Sequence, residues 1–94
     1  MSNPSVPEKN DEVTFDKLAF DDLLDASGLS CPLPLLKTKQ SLNKLNVGDV
    51  LKVIATDAGS WRDIQVFVDN SVNELLHAEQ DQGHYCYWIK KGNR

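Results

Sequence analysis

The chain predicts a two-layer α+β sandwich: a mixed four-stranded sheet with two helices on one face, in the order β-α-β-α-β-β. Three observations carry that prediction. Residues 23–56 read as strand, helix-period segment and second strand, a βαβ unit whose strands pair in parallel through a right-handed crossover. A second helix-period segment follows it. The last two strand-like runs flank Asp81-Gln82-Gly83, a hairpin signal that makes the final pair antiparallel. Two amphipathic helices need a common sheet on which to bury their apolar stripes, and the opposite sheet face is then left open.

Residues 1–20 are read as a flexible N-terminal tail and residues 21–92 as the folded domain. The first dozen residues hold Pro4, Pro7 and charges with no apolar period. Val13 to Asp22 is compatible with a short strand, a helical turn or an arm on the domain. Leu23-Leu24-Asp25-Ala26 is a first strand, ended by Ser27-Gly28. Pro32 to Asn46 is a helix, with Leu35, Thr38, Leu42 and Leu45 on its inner face and Lys37, Lys39, Gln40 and Lys44 outside. Val50 to Thr56 is β-branched and apolar except for Lys52, which suits a central, buried strand. Ser60-Trp61-Arg62-Asp63 matches a capping box, with Ser60 as cap and Asp63 reaching back. Trp61, Ile64, Phe67, Val68 and Ser71 continue at helical spacing. Glu74–Gln80 and His84–Lys90 form the hairpin.

With 94 residues, 40% of them hydrophobic, the chain suits one small domain. Its net charge of −4 argues against general nucleic-acid binding, and no direct nucleic-acid contact is expected. No apolar run approaches a membrane span, and Met1 to Asp11 lacks the apolar centre of a secretory signal. A cytoplasmic location is expected, in which both cysteines stay reduced.

The chemistry is expected at Gly28-Leu29-Ser30-Cys31-Pro32-Leu33-Pro34. Proline is favoured at the first helical position, where its missing N–H would be unpaired anyway. Pro32 therefore puts Cys31 at the helix cap, where the helix end favours the thiolate. Pro32 and Pro34 remove two donors, leaving the early N–H groups of Leu33 and Leu35, so the thiolate should be modestly stabilised and outward-facing.

Cys86 has two readings, a small residue on a sheet face or a resolving thiol for Cys31; the first is preferred. His77, His84, Cys31 and Cys86 show no metal-ligand spacing, so no metal is expected. Asp57 and Asp63 are assigned to turn and cap, and Trp61 and Trp88 to packing. Lys37, Lys39, Lys44 and Arg62 are either an ordinary solvated face or a basic docking rim. Two function classes compete: a carrier using covalent chemistry at Cys31, and a thiol-independent regulatory or nucleic-acid-associated interaction module in which the prolines only build a helix start.

A resemblance favours the carrier, and selective modification of Cys31 would separate the two. Leu24-Asp25, Gly28-Leu29 and Cys31-Pro32-Leu33-Pro34 resemble the signature of the TusA/SirA-like sulfur-carrier family. So do Thr56-Asp57-Ala58-Gly59-Ser60, Arg62-Asp63-Ile64 with Phe67, Glu74-Leu75-Leu76, and Tyr85, Tyr87 and Ile89-Lys90-Lys91. The resemblance implies the same β-α-β-α-β-β sandwich, with no cofactor. It implies that Cys31 carries sulfane sulfur as a persulfide, supported by Pro32, Pro34 and Gly28. The sulfur would come from a cysteine desulfurase or another donor and pass to an acceptor protein by protein-to-protein transfer, with tRNA 2-thiouridine synthesis as one branch. Apart from the resemblance, Lys37, Lys39 and Arg62 would dock the partner if they form the basic rim, although the solvated face is the slightly preferred reading. Ser30 stands where relatives often carry a basic residue, and Val72-Asn73 where they often have Gly-His.

Overall fold

A computed structural model describes residues 19–93. The element order is β1 (Asp22–Ala26), α1 (Leu33–Asn43), β2 (Val50–Ala55), α2 (Gly59–Asp69), β3 (Glu74–Asp81) and β4 (His84–Lys90). The expected tail lies outside these residues except for Ala19 and Phe20.

The sheet order is β1-β2-β4-β3. β1 and β2 are parallel, with Leu24 opposite Val53, and β4 is antiparallel to both β2 and β3. The mixed sheet and the central place of β2 match the sequence expectation. β3 has one register irregularity at Leu76, between the Leu75–Ile89 and His77–Trp88 pairs.

Strand alternation sorts the two sheet faces. Leu51, Val53 and Ala55 of β2 and Tyr87 and Ile89 of β4 meet Leu42 of α1 and Ile64 and Val68 of α2 in one buried cluster. On the helix-free face, Lys52 Nζ lies 5.0 Å from the Trp88 ring centroid and the His77 ring 5.3 Å from it. That face is less open than expected, for Trp88 is only 1% exposed. Among the described residues no helix is long and apolar enough to cross a membrane.

Both helices depart from the sequence expectation at their ends. α1 starts at Leu33 with Pro32 as its N-cap, one residue later than predicted. It ends at Asn43 rather than Asn46, because the N–H groups of Lys44 and Leu45 turn back to the carbonyls of Ser41 and Leu42 in a tightened last turn. Its buried stripe is Pro34, Thr38 and Leu42, at a spacing of four; Leu35 and Leu45 only flank the core. The Thr38 hydroxyl donates to the Pro34 carbonyl at 2.8 Å, which satisfies a buried polar group without breaking the helix.

Ser60 is not the cap of α2. The N-cap is Ala58, with no side-chain capping bond. The Ser60 hydroxyl is buried and pairs with the Tyr87 hydroxyl at 2.8 Å, tying the first turn of α2 to β4. A buried phenol offers Ser60 a partner in the dry core, and this displaces the local capping box.

Candidate functional site

The site lies where the chain leaves β1 for α1, against the start of α2. The β1–α1 connection is shaped by local hydrogen bonds. The Ser27 N–H donates to Asp25 Oδ1 at 3.0 Å, and the Gly28 N–H donates to Thr56 Oγ1 at 2.8 Å, pinning the loop to the end of β2. Gly28 has φ +82°, a backbone conformation in which a Cβ is disfavoured. The Leu33 N–H donates to the Ser30 carbonyl at 2.9 Å and the Leu36 N–H to the Pro32 carbonyl at 3.1 Å. The Cys31–Pro32 peptide bond is cis.

Cys31 is a free, exposed thiol at this junction. Its Sγ lies 3.1 Å from Asp63 Oδ2, the thiol donating to the carboxylate. Its back is against Gly59: a Cβ built there would stand 3.7 Å from Cys31 Cβ and 2.9 Å from Asp57 Oδ2. A side chain at Gly59 would therefore push on the Asp57 carboxylate beside the thiol. Asp57 Oδ2 is itself enclosed and makes no hydrogen bond.

Three expectations are corrected here. Cys31 is not the capping residue; Pro32 is, and Cys31 stands one position outside the helix. The Leu33 N–H is not free for a thiolate, since the Ser30 carbonyl accepts it. The thiol is not acidified. It is pushed above the ordinary cysteine range, first by its hydrogen bond to Asp63, then by desolvation and by the negative charges of Asp63 and Asp57. A carboxylate that accepts the S–H bond stabilises the protonated form, and this outweighs the end of an eleven-residue helix. Asp63 is the site residue that sequence reasoning missed. Its spacing from Ser60 reads as a cap, and its only other sequence signal is its place in the Arg62-Asp63-Ile64 run.

The remaining residues divide. Pro34 is a fully buried wall of the helix start. Lys39 and Arg62 line one open groove of about 490 Å³ between α1 and α2, together with Asp63, Val66 and Phe67. Lys39 Nζ lies 5.4 Å from the Phe67 ring centroid. Lys37 is exposed on α1 but does not line this groove, so the three predicted docking residues are not one patch.

Cys86 is far from this arrangement. Its neighbours Tyr85 and Tyr87 stack near Trp61 of α2, at 6.1 and 6.0 Å between centroids. Cys86 therefore faces the helix-free side. Cys31 stands against the start of α2 while Cys86 faces away from the helices, which argues against a resolving role. Among the described residues no cluster of three or more His, Cys, Asp or Glu side chains is arranged to hold a metal ion.

Fold and site together define a small two-layer domain that presents a single exposed thiol beside a carboxylate. Residues 23–91 match the family model described as Sulfurtransferase TusA. Over 72 residues the chain is 49% identical to the sulfur carrier protein TusA of Allochromatium vinosum, covering 77% of this chain and 95% of that one. It is 45% identical over 71 residues to the sulfur carrier protein TusA of Pseudomonas putida, covering 76% of this chain and 89% of that one. A solved SirA-like protein from Desulfitobacterium hafniense superposes with a TM-score of 0.61 at 28% identity, over 78% of this chain and all of the other. The chain belongs to the TusA family of sulfur carriers.

Proposed function

We propose that Cys31 is the sulfur-carrying residue, taking sulfane sulfur as a persulfide from a donor such as a cysteine desulfurase and passing it to an acceptor protein. The observation that carries this is the contrast in presentation: the Cys31 thiol is exposed at a loop–helix junction, whereas Cys86 sits within a strand of the sheet. An exposed sulfur on a small domain allows the in-line approach that exchange between sulfurs requires. The groove holding Lys39 and Arg62 begins at Asp63, next to the thiol, and suits an acidic partner surface; Lys37 is an outlying contact. Residues 21–92 form the unit that acts, in the cytoplasm, with the uridine-thiolating branch of tRNA modification as one destination.

The test is incubation with a cysteine desulfurase and cysteine, with the added sulfur located by mass spectrometry. The expected result is sulfur on Cys31 and none on a Cys31→Ser chain. Loading that survives this substitution would overturn the assignment, and a wild-type chain that takes up no sulfur would favour the thiol-independent module.

A further inference from the structure

We infer that Asp63 is a positioning residue for the carrier thiol, holding the Cys31 hydrogen and aiming Sγ in the empty protein. The inference deepens the proposed sulfur-carrying role of Cys31 and rests on it. Its basis is geometric. Asp63 Oδ2 accepts from Cys31 Sγ at 3.1 Å across 32 positions of sequence. α2 is rigidly seated next to β4 by the Ser60–Tyr87 hydroxyl pair, three residues before Asp63. Ile64, the next residue, is fully buried, so the helix cannot rotate Asp63 away without unpacking the core.

Each element around the thiol carries charged groups. α2 brings Asp63 and Arg62, the β2–α2 loop brings Asp57, α1 brings Lys37, and the end of β1 brings Asp25, whose carboxylate is engaged by Ser27. Only Asp63 and Asp57 act on the thiol appreciably, and both favour its protonated form. Sγ is the donor and the carboxylate the acceptor, so the bond favours the protonated thiol. The empty carrier is thereby kept as a directed but weakly nucleophilic thiol.

The hydrogen must then leave as sulfur arrives. A donor persulfide supplies the terminal sulfur: the bond from Sγ to that sulfur forms as the donor's S–S bond breaks. The transferred sulfur keeps its own hydrogen, and the donor cysteine leaves as thiolate. The Cys31 hydrogen passes by way of Asp63 Oδ2 to that thiolate, so one thiol and one persulfide are exchanged for one persulfide and one thiol. Proton removal is tied to departure of the donor sulfur, since a carboxylate alone is too weak a base to strip the thiol beforehand.

The test uses the full, unloaded chain, so it succeeds or fails independently of sulfur carriage. The rate of Cys31 alkylation by iodoacetamide is followed against pH for wild type, Asp63→Asn and Asp63→Glu in a Cys86→Ser background. The midpoint is expected to fall in Asp63→Asn and to return towards wild type in Asp63→Glu. Each pKa unit of fall raises thiolate tenfold while lowering its nucleophilicity, a net gain of about threefold in rate at neutral pH. Superimposable profiles for wild type and Asp63→Asn would overturn the inference. An infrared difference spectrum of the wild type against Cys31→Ser covers the case in which the Asn variant does not fold. A lowered, broadened S–H stretching band is expected for Cys31, and a band at the frequency of a thiol free in water would equally overturn it.

Discussion

The two cysteines of this chain are both pushed above the ordinary thiol range, and for opposite reasons. At Cys31 the leading cause is a hydrogen bond to Asp63 at an exposed junction. At Cys86, opposite Ile54 and Glu79 in the sheet, the leading cause is desolvation, with Lys52 lowering and Glu79 raising the value. The difference matters because the two causes respond to different events. Desolvation of a half-buried strand residue lasts as long as the sheet does. A single hydrogen bond at the surface can be exchanged when another molecule docks. A raised thiol pKa alone therefore does not mark an inert cysteine; the cause of the shift decides.

The sharpest way to break this contrast is to measure both thiols in one chain. A neutral alkylating reagent should modify Cys31 faster than Cys86 by a factor on the order of 100, since the strand residue must wait for local opening. Peptide mapping over time gives the ratio, and in denaturant the two rates should converge. Equal rates in the folded protein would mean that Cys86 is as available as Cys31.

A smaller effect is expected at Pro34, which joins the thiol's surroundings to the core. Pro34→Ala removes about two buried methylene groups, or about 1.6 kcal/mol, partly offset by the better helix propensity of alanine. Urea unfolding should register a net loss of about 1 kcal/mol. No loss would place Pro34 outside the packed stripe with Thr38 and Leu42.

Tyr87 sharpens the comparison from within the core. Burial raises its pKa to about 12, against the opposing hydrogen bond from Ser60. The folded state prefers the neutral phenol, so this stability is fully present below about pH 10 and is lost as pH rises from there towards 12. Tyr87→Phe should remove that part of the alkaline slope, read as the midpoint of urea unfolding against pH. It should also leave the Ser60 hydroxyl buried without its partner.

The smallest effect is expected from charge. Lys39→Glu or Arg62→Glu should slow transfer from a desulfurase a few-fold at low salt, fading as salt screens the groove. Lys37→Glu, outside the groove, should do less. Identical salt dependences for all three would remove the groove from the docking account.

What was legible in the sequence followed local pattern. The run from Val50 to Thr56 announced the central strand found at Val50–Ala55, Asp81-Gln82-Gly83 a hairpin, and the prolines around Cys31 a helix start with a presented thiol. What was missed depends on pairs distant in sequence. Ser60 and Asp63 have capping-box spacing, yet one meets Tyr87 and the other Cys31 once the sheet has formed. No local rule weighs a short-range cap against partners 27 and 32 residues away. The buried stripe of α1 was legible at Thr38 and Leu42 but misplaced at its start, because its first member is a proline, which does not read as part of an apolar helix face.

The sheet standing between the two sulfurs has a consequence under oxidation. A disulfide requires β-carbons about 4 Å apart, which cysteines on opposite faces of a four-stranded sheet cannot reach. Oxidants therefore cannot close this chain on itself. A cross-link through Cys86 would join two copies back to back with both Cys31 thiols pointing outwards and free, whereas a cross-link through Cys31 would silence both. Two oxidised dimers of equal mass would thus differ entirely in what they can still exchange, and a non-reducing gel alone would not tell them apart.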